Sequence, residues 1–265
     1  DKASVAEGAV FAEGESMYHV RKSSRLASTV LCGLRRQLAS TGVPYDIYSI
    51  SDAALPAVRG YKLYIFVNQY DLSEHTKRCI DENCREGKTL LWLYAPDYMK
   101  RGGCSVERIC DIVGMRVVES ECTHGDIIYN GRSFALPTGG PYLSIDDSSA
   151  RPLAYWQDGK VAAAEKQCGG VKNIYFCGML PPCELLRRIF DESGITSYSD
   201  RPDVYVYVNR AFVGVYNASE SDIQIKVGRD GVYHDLIGGG EFVSVDGHLS
   251  LPRRKLRAYM LVTDD

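Results

Sequence analysis

Gly87-Lys88-Thr89-Leu90-Leu91-Trp92-Leu93-Tyr94-Ala95-Pro96-Asp97-Tyr98 decides how this chain folds. Lys88 to Tyr94 is apolar at nearly every position, as a strand is when both of its faces are covered. Gly87 closes a helix in front of it, and Ala95-Pro96-Asp97 turns the chain away from its C-terminal end. Upstream, Tyr61 to Val67 has the same character and predicts a second central strand; residues 8–12 and Tyr45 to Ile50 predict two more. Helical segments separate them. Ser16 is expected to cap a long helix whose Ala27, Val30, Leu31, Leu34 and Leu38 recur at three and four residues, with Gly42 as its end. Asp71-Leu72-Ser73-Glu74 reads as a capping box, with Asp71 at the N-cap, opening a helix to about Glu86. Alternating strand and helix builds a parallel, doubly wound α/β sheet.

Further along, Val106 to Ile112 predicts a short helix and Met115 to Val118 a strand. From 119 to 170 short strands are broken by Gly, Pro, Ser and Asp, including Gly139-Gly140-Pro141 and Asp158-Gly159, which predicts hairpins in or beside the sheet. Asn173 to Cys177 returns as an apolar strand. After Pro181-Pro182 comes a helix with Leu185, Leu186, Ile189 and Phe190 on one face and Gly194 as C-cap. Beyond Asp200 the helical period disappears, and Val204, Val206 and Val208 alternate with Tyr205, Tyr207 and Asn209. Further strands are expected near 211–216, 222–227, 231–237, 241–245 and 256–262, so the tail reads as a small all-β sandwich. The expected division is an α/β domain over 1–200 and the sandwich over 201–265.

The 265 residues, 45% hydrophobic and 25% charged, fit two unequal globular domains. A net charge of -3 from 31 basic and 34 acidic residues offers no field to draw nucleic acid or an anionic membrane. No apolar run approaches the roughly 20 residues that span a bilayer, and the first residues show neither an initiator Met nor a signal peptide, which suggests a fragment. Nine cysteines lack zinc-knuckle spacing and are expected to be mostly buried free thiols. The compartment stays open.

In open α/β sheets ligands collect beyond the carboxyl ends of the strands, which singles out Glu13, Glu15, Asn68, Gln69, Asp97 and Tyr98 as a candidate ligand crevice. Paired carboxylates such as Glu13 and Asp97 suit general acid/base work only at a set separation, which sequence does not fix. The plainer account is that Glu15 favours a helix dipole and that Asn68 and Gln69 cap a loop. His19 and His75 fall on helices and His234 and His248 in the tail, so no metal-ligand spacing exists. The histidines read mostly as surface residues; His124, in Cys122-Thr123-His124-Gly125-Asp126, is the one loop histidine near other polar groups, and a surface role suits it far better than a site role. Gly102-Gly103 and Gly238-Gly239-Gly240 lack the spacing of a dinucleotide loop, so neither cofactor nor metal is expected. The basic residues Arg21, Lys22, Arg25, Arg35 and Arg36 read as a solvated helix face.

Several segments together resemble the β-galactosidase trimerisation domain of family 42 glycoside hydrolases. They are Glu13-Gly14-Glu15-Ser16-Met17-Tyr18, Gly42-Val43-Pro44-Tyr45-Asp46-Ile47-Tyr48, Tyr61 to Asn68, Gly87 to Tyr98, and Leu185 to Tyr198. Tyr233-His234-Asp235-Leu236 and Leu249-Ser250-Leu251-Pro252 are similar to the sandwich that ends many sugar-active enzymes. The resemblance implies a flavodoxin-like, class I glutamine amidotransferase-like fold and a homo-oligomer, a trimer. It also implies an N-terminal catalytic barrel of the same protein, of about 250 residues, that has no counterpart here. No catalytic residue is carried over. An amidotransferase-like enzyme would need a Cys on a sharp strand-to-helix turn; none follows Tyr94, and Cys177-Gly178 has no His after it in the same domain. The expectation is a non-catalytic accessory and oligomerisation region of a glycoside hydrolase, with carbohydrate a possible contact. The alternative is a stand-alone amidotransferase-like enzyme or carbohydrate-binding module using the strand-end crevice.

Overall fold

Apolar strands come first in the computed structural model, which describes residues 3–21, 26–121, 123–136, 140–255 and 257–263, and of Ala27 and Leu31 only the backbone. Lys22, Arg25, Cys122 and Gly139 lie outside the described residues. The chain divides into two compact units. One comprises Gly8–Leu34 and Ile47–Pro182, the other Asp1–Glu7, Arg35–Asp46 and Cys183–Asp265.

The first unit is built on β1 (Gly8–Ala12), β2 (Tyr45–Ser49), β3 (Leu63–Phe66) and β4 (Thr89–Leu93), with a short hairpin of β5 (Met99–Lys100) and β6 (Gly103–Cys104). Then come β7 (Val117–Ser120), β8 (Ile127–Tyr129), β9 (Arg132–Phe134), β10 (Tyr142–Ile145), β11 (Arg151–Trp156), β12 (Val161–Cys168) and β13 (Val171–Phe176). The main sheet runs β2-β1-β3-β4-β13-β12-β11-β8-β9, with β10 pairing both β12 and β7. β1, β3, β4 and β13 are parallel neighbours; from β12 outward the pairing is antiparallel. The hairpins of 119–170 therefore extend the sheet, making it mixed. Every residue of β3 and β4 is buried, and the Phe66 and Trp92 rings stack at 4.0 Å with Phe11 against Phe66 at 5.5 Å.

Two expected caps are corrected. Ser73, not Asp71, caps α3 (Glu74–Cys84): its Oγ accepts the Thr76 N–H at 3.0 Å, while Asp71 pairs with Lys100. Ser16 does not open the long helix but sits buried in a 3-10 turn, Glu15–His19, where its Oγ accepts the Tyr70 N–H at 3.1 Å. The helix itself is α1 (Leu26–Ser28), a π-helical stretch Thr29–Leu34 and α2 (Arg35–Ala39). Gly33 lies in the π stretch, and a Cβ there would meet Leu180 Cδ2 at 3.2 Å, so Leu180 packs closely on the glycine and would have to shift by a few tenths of an ångström to admit a side chain. α4 (Val106–Val113) ends on Gly114 at φ 70°, as a left-handed C-cap requires.

Asp147 ties down the β10–β11 connection by accepting from Lys166 Nζ at 2.8 Å, Ser149 N at 2.9 Å and Arg116 N at 3.2 Å. The Lys166 hydrogen bond, foremost, holds its carboxyl well below the ordinary 3.8. A depressed carboxylate contributes stability above its unfolded pKa and loses it as pH falls through the folded value. The melting temperature should therefore fall as pH drops below about 4, and should fall less steeply in Asp147→Asn, as thermal melts across that range would show.

In the second unit α5 (Cys183–Glu192) buries Leu185, Leu186, Ile189 and Phe190, and Gly194 follows at φ 69°. Arg187 donates to the carbonyls of Thr41 (2.5 Å), Ser199 (3.0 Å) and Arg201 (3.1 Å), clamping the segment that leads into the strands. Those strands are β14 (Val204–Val208), β15 (Val213–Asn217), β16 (Ile223–Lys226), β17 (Gly231–Asp235), β18 (Glu241–Ser244), β19 (His248–Leu251) and β20 (Ala258–Val262). A five-stranded sheet β14-β15-β20-β17-β18 and the pair β16-β19 enclose one core, including Val206, Ile225, Leu249 and Tyr259. β19, absent from the sequence expectation, follows the turn residues Asp246 (φ 52°) and Gly247 (φ 70°). Its buried Leu249 and Leu251 alternate with exposed residues.

All eight cysteines among the described residues are free thiols. Burial accounts for Cys79, Cys84 and Cys177, whereas Cys32 and Cys104 are exposed, because an amphipathic position accepts so small a side chain on either face. No helix among the described residues is long and apolar enough to cross a membrane.

Candidate functional site

Because β1, β3 and β4 are parallel neighbours, their carboxyl ends gather Glu13, Asn68, Gln69 and Asp97. Their polar atoms are spent largely on holding the loops together. Asn68, fully buried, accepts the Glu13 N–H at 2.8 Å and donates Nδ2 to the Glu13 carbonyl at 2.6 Å. Gln69 Nε2 donates to the Phe11 carbonyl at 2.9 Å, and the Gln69 carbonyl accepts the Asp97 N–H at 2.7 Å. Asp97, 0% exposed, holds the Leu72 N–H at 2.9 Å and faces Lys77 Nζ at 2.6 Å and Lys100 Nζ at 2.8 Å. Burial pulls the Lys100 ammonium down, but its hydrogen bonds to Asp71 and Asp97 leave its pKa above the ordinary value. Glu15 is exposed, its N–H donating to Glu13 Oε1 at 2.9 Å, and Tyr98 turns its hydroxyl to Glu119 at 2.9 Å.

An open cleft lies further along the sheet, at the carboxyl ends of β4 and β13. It encloses about 420 Å³, part of it open to solvent, and its lining includes Tyr94, His124, Leu143, Trp156, Cys177 and Met179. Tyr94 takes a left-handed backbone, φ 63°, at the turn leaving β4, fixed by its N–H to the Phe176 carbonyl at 2.9 Å and by the Tyr175 hydroxyl on its own carbonyl. Such a conformation costs a non-glycine residue about 1–2 kcal/mol. The loop 123–126 and the turn at Asp158 are laced by Gln157 N to the Asp126 carbonyl, 2.8 Å, which brings His124 Nδ1 to 2.7 Å from Asp158 Oδ2. Burial pushes the Asp158 carboxyl up, but the hydrogen bonds from His124 and from the Lys160 backbone bring it below its ordinary value. His124 Nε2 is buried with no partner. The Trp156 ring lies 5.6 Å from the imidazole, anchored by Nε1 on the Leu143 carbonyl at 3.0 Å. Burial pushes the Cys177 thiol far up, so it is protonated at neutral pH and a poor nucleophile.

Sequence reasoning placed the strand-end crevice at β1, β3 and β4 and passed over Tyr94, Trp156 and Asp158. The available signal was the apolar strand Lys88–Tyr94 stopping at a turn with a bulky residue; Asp158-Gly159 read only as a turn. Among the described residues no three His, Cys, Asp or Glu side chains are grouped to hold a metal ion.

A mixed α/β sheet and a separate all-β region therefore define the chain. No protein-family model matches it, and no curated protein matches it. Solved structures do. A GH42 β-galactosidase from G. stearothermophilus superposes with a TM-score of 0.69 at 18% identity, over 98% of this chain and 40% of that one. The β-galactosidase from Bacillus circulans sp. alkalophilus gives 0.68 at 14% identity, over 99% and 42%. An α-L-fucosidase isoenzyme 2 from Paenibacillus thiaminolyticus gives 0.59 at 14% identity, over 99% and 49%. At these identities the likeness establishes a shared fold, and the chain spans only about two fifths of the length of the β-galactosidases it matches.

Proposed function

We propose that this chain is the non-catalytic accessory and oligomerisation region of a β-galactosidase-like glycoside hydrolase whose catalytic barrel belongs to the same protein. The observation that carries this reading is the fit of nearly the whole chain to a 40% portion of a GH42 β-galactosidase. In this reading residues 1–200 form a flavodoxin-like, class I glutamine amidotransferase-like domain, residues 201–265 a small sandwich, and the assembly is a trimer. The left-handed turn after β4 bears on the first part: it bends the chain sharply at a strand end, leads into the β5–β6 hairpin rather than a helix, and holds Tyr94 where a nucleophile would be needed. Burial pushes that phenol far up, so it supplies no nucleophile at neutral pH. In the all-β region the edge strand β18 leaves Val243 66% exposed, with Val245 beside it at 67%, an apolar edge suited to a partner's cover.

Size-exclusion chromatography with light scattering, run beside a panel of chromogenic glycosides, tests the proposal. The expected result is a particle of three 29.4 kDa chains without turnover. A monomer at every concentration, or hydrolysis of any glycoside by this chain, overturns it.

A further inference from the structure

We draw no further inference here: the strongest candidate, the outward face of the five-stranded sheet, where Tyr207, Tyr216, Val232 and Val243 stand exposed on β14, β15, β17 and β18, carries none, because nothing in the structure shows what covers it.

Discussion

Asp97→Ala is expected to lower the unfolding free energy by about 3 kcal/mol, the lower end of the cost of breaking a buried ion pair. The carboxylate has no exposure to water and stands between two ammonium groups while also holding the Leu72 N–H. Alanine leaves that N–H unmatched and removes the counter-charge that the two cations share, leaving Lys77 only Glu74 and Lys100 only Asp71. The lysines are a quarter exposed, so water recovers part of the loss, and the upper end of the range does not apply. Asp97→Asn keeps an acceptor for Leu72 but not the charge, and should fall between the two. Urea titration would read the effect as a lowered midpoint at unchanged slope. A loss below about 1 kcal/mol would mean that solvent already screens the pair, leaving the carboxylate free for chemistry and reopening the strand-end crevice as an acid/base site.

That crevice shows where sequence reading stops. The strands bearing Glu13, Asn68 and Asp97 were legible because β3 and β4 are apolar at almost every position, and parallel order puts their ends side by side. What the side chains do there was not legible, since it depends on which way each one turns. Asn68 turns inward and closes on the Glu13 backbone; Ser16, read as a helix cap, turns inward and takes the Tyr70 N–H. The hairpins of 119–170 announced themselves through their turns, but their place as an antiparallel extension of the main sheet follows from pairings such as β11 with β8 and β7 with β10, which no local pattern encodes. The His124–Asp158 contact joins residues 34 positions apart and was invisible for the same reason. In the tail, alternation of buried and exposed positions carried most of the strands, and only β19 was passed over, although its Leu249 and Leu251 alternate with His248 and Ser250.

The second large effect is expected at Asp235, on β17. Its carboxylate is buried and accepts three backbone N–H groups, from Met260 at 3.0 Å and from Ile237 and Gly238 at 3.1 Å, while pairing with Arg254 at 2.5 Å. Arg254 in turn lies over the Tyr259 ring, 3.7 Å from its centroid, at the edge of the core. Asp235→Ala removes a binding partner from all four groups at once, a loss of at least 4 kcal/mol by the usual costs of orphaned donors and uncompensated charge. A sandwich of this size has a core that rarely supplies more than about 3–5 kcal/mol, so the variant should leave it unfolded. Both tryptophans, Trp92 and Trp156, belong to the other compact unit, so their fluorescence reports on that unit alone. With a boundary near residue 200, Asp235→Ala should become protease-sensitive beyond that point while the fluorescence stays native. Loss of both signals together would mean that the tail and the sheet of the first unit unfold as one, and the sandwich could not then be treated as an independent domain.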